Sequence, residues 1–209
     1  MKPLGSLLAL VGIALVVVPA CRPALPARAW LERHAPGETT RLLPQAQGVI
    51  FGPGRAEHSI LWLRALGAGH LISRDEGKYG ALLENEYQDA AGNRVYQTPL
   101  RRPAAAVLVS RYQWRTLPRL RSLYDRTALA AYVNWADRPE AAGFRWTAAG
   151  KAEVRTDLGP DDMVLVRQLA AGWSASLDGR PLECLRDPVG FLLLDPERAG
   201  AVTILLARS

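Results

Sequence analysis

The chain of 209 residues has little of the side-chain chemistry that most enzymes depend on: two cysteines, three histidines, and three lysines among 26 basic residues. Cys21 and Cys184 have no metal-type partner spacing and give no disulfide framework. His34, His58 and His70 fall in no H-E-x-x-H pattern and in no closely spaced His/carboxylate cluster, so a zinc centre is not expected. There is no G-x-S-x-G nucleophile elbow. The glycine-rich stretch Phe51-Gly-Pro-Gly-Arg55 lacks the Lys-Ser/Thr of a phosphate loop and loses an amide donor to proline, so it reads as a turn. The net charge of +6 comes from arginines spread along the chain, with no run longer than Arg101-Arg102 and no nucleic-acid signature. Composition therefore argues against a cofactor, a metal and a nucleic-acid partner. A hydrophobic content of 49% argues for a folded chain with a real core.

The amino terminus is different in kind. No charge occurs between Lys2 and Arg22, and residues 7–20 (LLALVGIALVVVPA) are almost wholly apolar. At a rise of about 1.5 Å per residue such a stretch makes a helix close to the hydrocarbon thickness of about 30 Å. Residues 1–21 thus read as an N-terminal hydrophobic helix, either a signal core or a membrane anchor, and the rest as exported. Val18-Pro19-Ala20-Cys21 resembles the lipobox of bacterial lipoproteins, which makes Cys21 a candidate lipid acceptor. A proline-bearing linker follows at 22–27.

Residues 28–102 mix signals and read as a small α/β lead-in. A helical turn starts at Trp30, an apolar helix covers 57–66, a strand covers 70–73, and strands at 82–88 and 94–97 flank the turn residues Asp89 to Asn93. From 103 to 209 the pattern becomes that of an antiparallel β-sandwich, with strands at 104–110, 151–158, 162–169, 173–177, 181–186, 191–194 and 201–206 separated by turn residues. One helix, 126–136, interrupts them, with Asp125 as its N-cap. The fold class is α+β and mainly β.

The stretch GWSASLDGRP, 172–181, fixes a register. Asp178-Gly179 suits a two-residue turn with positive φ at both positions, which sets Leu177 opposite Arg180, Ser176 opposite Pro181 and Ala175 opposite Leu182. Continued, it sets Ser174 opposite Glu183 and Trp173 opposite Cys184, with Trp173, Ala175, Leu182 and Cys184 on one apolar face. Burying the indole is worth a few kcal/mol at about 25 cal/mol per Å².

Residues 164–206 also resemble the closing extracytoplasmic segment of large bacterial multi-spanning membrane proteins, the YfhO-type family and related GT-C-like glycosyltransferases. The motif runs through Gly172, Trp173, Ala175, Leu177, Asp178, Gly179, Arg180 and Pro181, then Gly190, Phe191, Ala199 and Gly200. Ala201 and Leu205-Leu206 stand where that family often has a histidine and an aromatic residue. The resemblance implies a β-sandwich on the outer side of the bacterial inner membrane. It also implies that the catalytic carboxylate and lipid-linked sugar site of such transferases belong to a many-helix region outside this sequence. The chain itself is then a non-catalytic, membrane-tethered accessory domain in cell-envelope glycan assembly, with the membrane, a glycan or a membrane glycosyltransferase as partner. A free-standing envelope lipoprotein binding a protein or glycan is the alternative, and a hydrolase using Asp75, Glu76, Glu84 or Glu86 is a third reading, which requires those carboxylates to converge in one cleft.

Aromatic residues are the remaining lead. Tyr112-Gln113-Trp114 and Asn134-Trp135 join rings to polar neighbours, so Tyr112, Trp114 and Trp135 are the candidate glycan-binding residues; core packing is the competing account of each.

Overall fold

A computed structural model describes residues 13–17, 25–34, 38–40, 49–99, 104–138 and 140–208. The chain is mainly β. Its first part comprises β1 (Ile13–Val17), α1 (Leu25–His34), β2 (Glu38–Thr40), α2 (Ala56–Ala65), β3 (His70–Ser73), α3 (Glu76–Tyr79), β4 (Glu84–Gln88) and β5 (Arg94–Gln97). Then come β6 (Ala106–Ser110), α4 (Arg111–Thr116), α5 (Arg126–Ala136), β7 (Gly143–Ala148), β8 (Lys151–Leu158) and β9 (Asp162–Leu169). The last five strands are β10 (Trp173–Leu177), β11 (Arg180–Leu182), β12 (Cys184–Arg186), β13 (Phe191–Leu194) and β14 (Gly200–Arg208).

Three sheets result. The first, in the order β2-β1-β3-β5-β4, is mixed: β1 runs parallel to β2 and β3, whereas β5 is antiparallel to β3 and β4. The outer sheet of the sandwich, β11-β10-β14-β8-β7, and the inner sheet, β12-β13-β9-β6, are antiparallel throughout. They share a core that includes Phe144, Val154 and Trp173 from one and Val164, Val166 and Leu192 from the other.

The inner sheet has a second covered face. Val107, Leu165 and Leu193 point away from the sandwich core into a cluster with Leu63 of α2, Leu129 and Val133 of α5, and Leu71 and Tyr96 of the first sheet. The order of layers is therefore outer sheet, inner sheet, then a layer of helices that ties the lead-in to the sandwich. This explains the strands' composition. A strand covered on both faces reads as an unbroken apolar run, and FLLL of β13 is buried at all four positions. A strand with one wet face alternates, as β14 does with Val202, Ile204 and Leu206 buried and Ala201, Thr203 and Leu205 exposed.

Several expectations need correction. Ile13–Val17, inside the segment read as a hydrophobic helix, is a strand; the rest of that segment, Cys21 included, lies outside the described residues. A short run of Ile, Leu and Val suits a strand as well as a helix, and periodicity does not separate the two. No helix among the described residues is long and apolar enough to cross a membrane. α1 begins at Leu25, within the stretch read as linker. The strand expected over 181–186 is two: β11 completes the hairpin, then the chain crosses to the inner sheet as β12, where Cys184 pairs with Leu194. Trp173 faces Arg208 of β14 instead of Cys184. β7, α3 and α4 were not foreseen from sequence.

The hairpin bend itself is as expected. Leu177 faces Arg180, Ser176 faces Pro181 and Ala175 faces Leu182. Asp178 (φ 52°) and Gly179 (φ 76°) both take the positive φ that this turn demands. Trp173 is 9% exposed and packs against Trp146, ring centroids 5.7 Å apart.

Candidate functional site

β6 ends at Ser110, whose hydroxyl begins α4 by accepting a hydrogen bond from the Gln113 amide at 3.1 Å. That hydroxyl donates to Asp161 at 2.5 Å, and the Tyr112 amide donates to the other oxygen of Asp161 at 2.9 Å. These bonds, the hydroxyl first, hold the Asp161 carboxyl below the usual range. Arg111 forms a fork on Asp195 at 2.6 to 3.0 Å, which raises its own pKa. A six-residue helix with no buried residue is thus tied to the β8–β9 turn and to the loop after β13.

The three candidate aromatics occupy different depths. Tyr112 is 71% exposed. Trp114 is half-buried and stacks on Trp135, ring centroids 5.4 Å apart. Trp135 is 2% exposed, its indole N–H donates to the Ser110 carbonyl at 3.0 Å, and its ring packs against Tyr132. Tyr112 and part of Trp114 reach the surface, and Trp135 lies beneath Trp114. Beside them Gln113 accepts a hydrogen bond from Arg138.

The chain from 117 to 125 continues this surface without a helix or strand. Leu117, Leu120 and Leu123 pack inward on the helical layer. The Leu123 carbonyl accepts from His58 Nε2 at 2.8 Å and from Trp62 Nε1 at 2.9 Å, so His58 carries its proton on Nε2. Tyr124, 71% exposed, stacks on His58. Sequence reasoning did not single out this segment. The signal was the three-residue spacing of Trp114, Leu117, Leu120 and Leu123.

The carboxylates considered for hydrolysis do not converge. Asp75 caps α3, accepting from the Lys78 amide at 2.9 Å. Glu76 pairs with Arg94 at 2.6 Å, Glu86 lies 3.0 Å from His70, and Glu84 sits exposed at the start of β4. Of these four, Asp75 alone lines the open cavity of about 570 Å³ formed with residues 52–57, Gly77 and Lys78. Lys78 is engaged there as a brace, its ammonium donating to the carbonyls of Ile50 and Gly52 at 2.7 and 2.8 Å, and burial lowers its pKa. No grouping of three or more His, Cys, Asp or Glu among the described residues suits a metal ion. The hydrolase reading loses the geometry it required.

No family model, curated protein or solved structure matches the chain.

Buried polar groups form one further constellation, between the inner sheet and the helices. Arg167 of β9 is 4% exposed and donates to the carbonyls of Ala104 and Ala136 at 3.0 and 3.1 Å, while its Nε has no partner. Gly67 leaves room for it, because a Cβ there would come within 2.4 Å of the guanidinium arm. Asp187 accepts the Tyr132 hydroxyl at 2.5 Å and the amides of Val189, Gly190 and Phe191 at 2.6 to 2.9 Å. Burial nevertheless pushes its pKa up to about 6. Neither the cavity at residues 52–57 nor the one at 177–182 is lined by Arg167, Asp187 or Tyr132, and the bonds these groups make join the layers. The residues of the family-like motif have jobs in the same sense: Trp173 and Phe191 fill the two cores, Asp178 and Gly179 make the bend, and Gly172 and Gly190 take positive φ.

Proposed function

We propose that the chain is a non-catalytic extracytoplasmic domain, tethered at the bacterial inner membrane, that serves cell-envelope glycan assembly as an accessory or carboxyl-terminal part of a membrane glycosyltransferase. The resemblance of residues 164–206 to the YfhO-type segment supports the setting. The observation that carries the reading is the contrast in employment. Asp75 is occupied in a helix cap, Glu76 in an ion pair and Glu86 against His70, with Glu84 exposed at a strand start, whereas Tyr112 and part of Trp114 are offered to solvent on a braced helix. Such a surface stacks on sugar rings and performs no bond-breaking step.

The test is binding without turnover. The full chain in detergent is titrated with envelope polysaccharide fragments and incubated with lipid-linked and nucleotide-linked sugar donors. Expected are a change in indole fluorescence that Tyr112→Ala weakens, and no consumption of donor. Donor turnover by the chain alone would overturn the non-catalytic reading. A second arm separates tether from lipidation: label from a lipid precursor that survives Cys21→Ala excludes the lipoprotein alternative.

A further inference from the structure

Residues 111–126, RYQWRTLPRLRSLYDR, hold five arginines and one carboxylate, Asp125. Two of these charges are committed. Arg111 is held by Asp195, and Asp125 caps α5 by accepting from the Ala128 amide at 3.1 Å. Arg115, Arg119, Arg121 and Arg126 are exposed, and among the described residues none of the four forms a salt bridge. Their outward direction follows from what lies beneath. Every third residue from Trp114 to Leu123 packs on the core, so the arginines between them face water. The two ring N–H donors on the Leu123 carbonyl fix the far end, and the Asp161 bonds fix the near end. A tyrosine with 71% of its surface free stands at each end.

We infer that this strip binds an acidic polysaccharide, a chain of sugar rings bearing carboxylate or phosphodiester groups; the inference rests on reading Tyr112 and Trp114 as a glycan surface. Guanidinium is the side chain suited to it: planar, permanently charged, weakly hydrated, and able to grip two oxygens of a carboxylate or phosphate at once. Tyrosine adds a flat face for the C–H side of a sugar ring. An anionic bilayer is a poorer match, because the leucines of the strip face the core and leave no apolar side to enter the acyl region.

The experiment is calorimetry on the full chain with four kinds of probe: oligogalacturonate or a phosphodiester-linked N-acetylmannosamine polymer, carboxyl-reduced neutral oligogalactan, polyglutamate, and phosphatidylglycerol vesicles. The expected result is tightest binding to an acidic carbohydrate probe, weakened by salt as exposed charges are screened. Arg119→Ser with Arg121→Ser should lower that affinity about tenfold with an unchanged melting temperature. Equal affinity for the neutral oligogalactan would overturn the charge inference and leave the glycan surface standing. Polyglutamate or vesicles bound as tightly as the acidic carbohydrates would overturn both. Failure to bind either acidic carbohydrate probe also overturns the inference.

Discussion

The two sheets of the sandwich use the same antiparallel pairing and meet different surroundings. β9 buries six consecutive residues, 163–168, while β14 buries every second one. The difference is a report on cover: the outer sheet keeps one face in water, and the inner sheet lies between that sheet and the helices α2 and α5. A polar residue in the inner sheet must consequently find its partners inside the protein, as Arg167 does with two carbonyls.

The sharpest way to probe this contrast is to truncate a side chain on the helix-facing side of the inner sheet. Leu165→Ala removes a fully buried residue and should cost about 4 kcal/mol, read as a fall in the urea midpoint with an unchanged slope. Arg167→Ala should cost about 3 kcal/mol, because it vacates space against Gly67 and leaves the Ala104 and Ala136 carbonyls without their donor. A cost under about 1 kcal/mol would mean that the layer between inner sheet and helices relaxes around the gap.

Asp187 gives the contrast a pH signature. Its carboxyl titrates near 3.8 in the unfolded chain and near 6 when folded, chiefly because burial disfavours the charge. The folded state therefore holds the proton more tightly. The resulting stabilisation is complete below the unfolded value and is lost as pH rises through the folded one, by at most about 3 kcal/mol. Unfolding midpoints should fall between pH 4 and pH 6, and Asp187→Asn should flatten that slope while keeping an oxygen for the three amides. An identical slope in the variant would assign the titration to another group.

The outer sheet should be more forgiving. Gly179→Ala places a side chain on a residue at φ 76° and should cost about 1 kcal/mol, seen in the thermal midpoint. Leu205→Thr, on the wet face of β14 at 52% exposure, should stay within about 0.5 kcal/mol. A large loss there would show that something covers this face as well.

Much of the fold was legible where one local rule decided. The strand at His70–Ser73, the helix Arg126–Ala136 with its Asp125 cap, and the bend at Asp178-Gly179 each follow from a few neighbouring residues. The candidate site was legible in its types and not in its depths. Tyr112, Trp114 and Trp135 look equivalent as letters, yet the stack of one indole on the other leaves Trp135 buried. The strip at 117–125 escaped notice because its period of three belongs to neither helix nor strand and is stabilised by α2, more than fifty residues earlier in the chain.

By itself, then, the order of residues determined the local vocabulary: which segments alternate, where the chain must bend, and how Ala175, Ser176 and Leu177 meet their partners, since turn chemistry and side-chain period act over a few residues. Tertiary structure alone decided that β12 leaves the hairpin for the other sheet, that an unbroken apolar run means a sheet covered twice, and that the four free arginines of residues 115–126 all stand out from one braced strip. Those outcomes depend on which surfaces distant elements bring to bear, and burial is a property of the assembled layers.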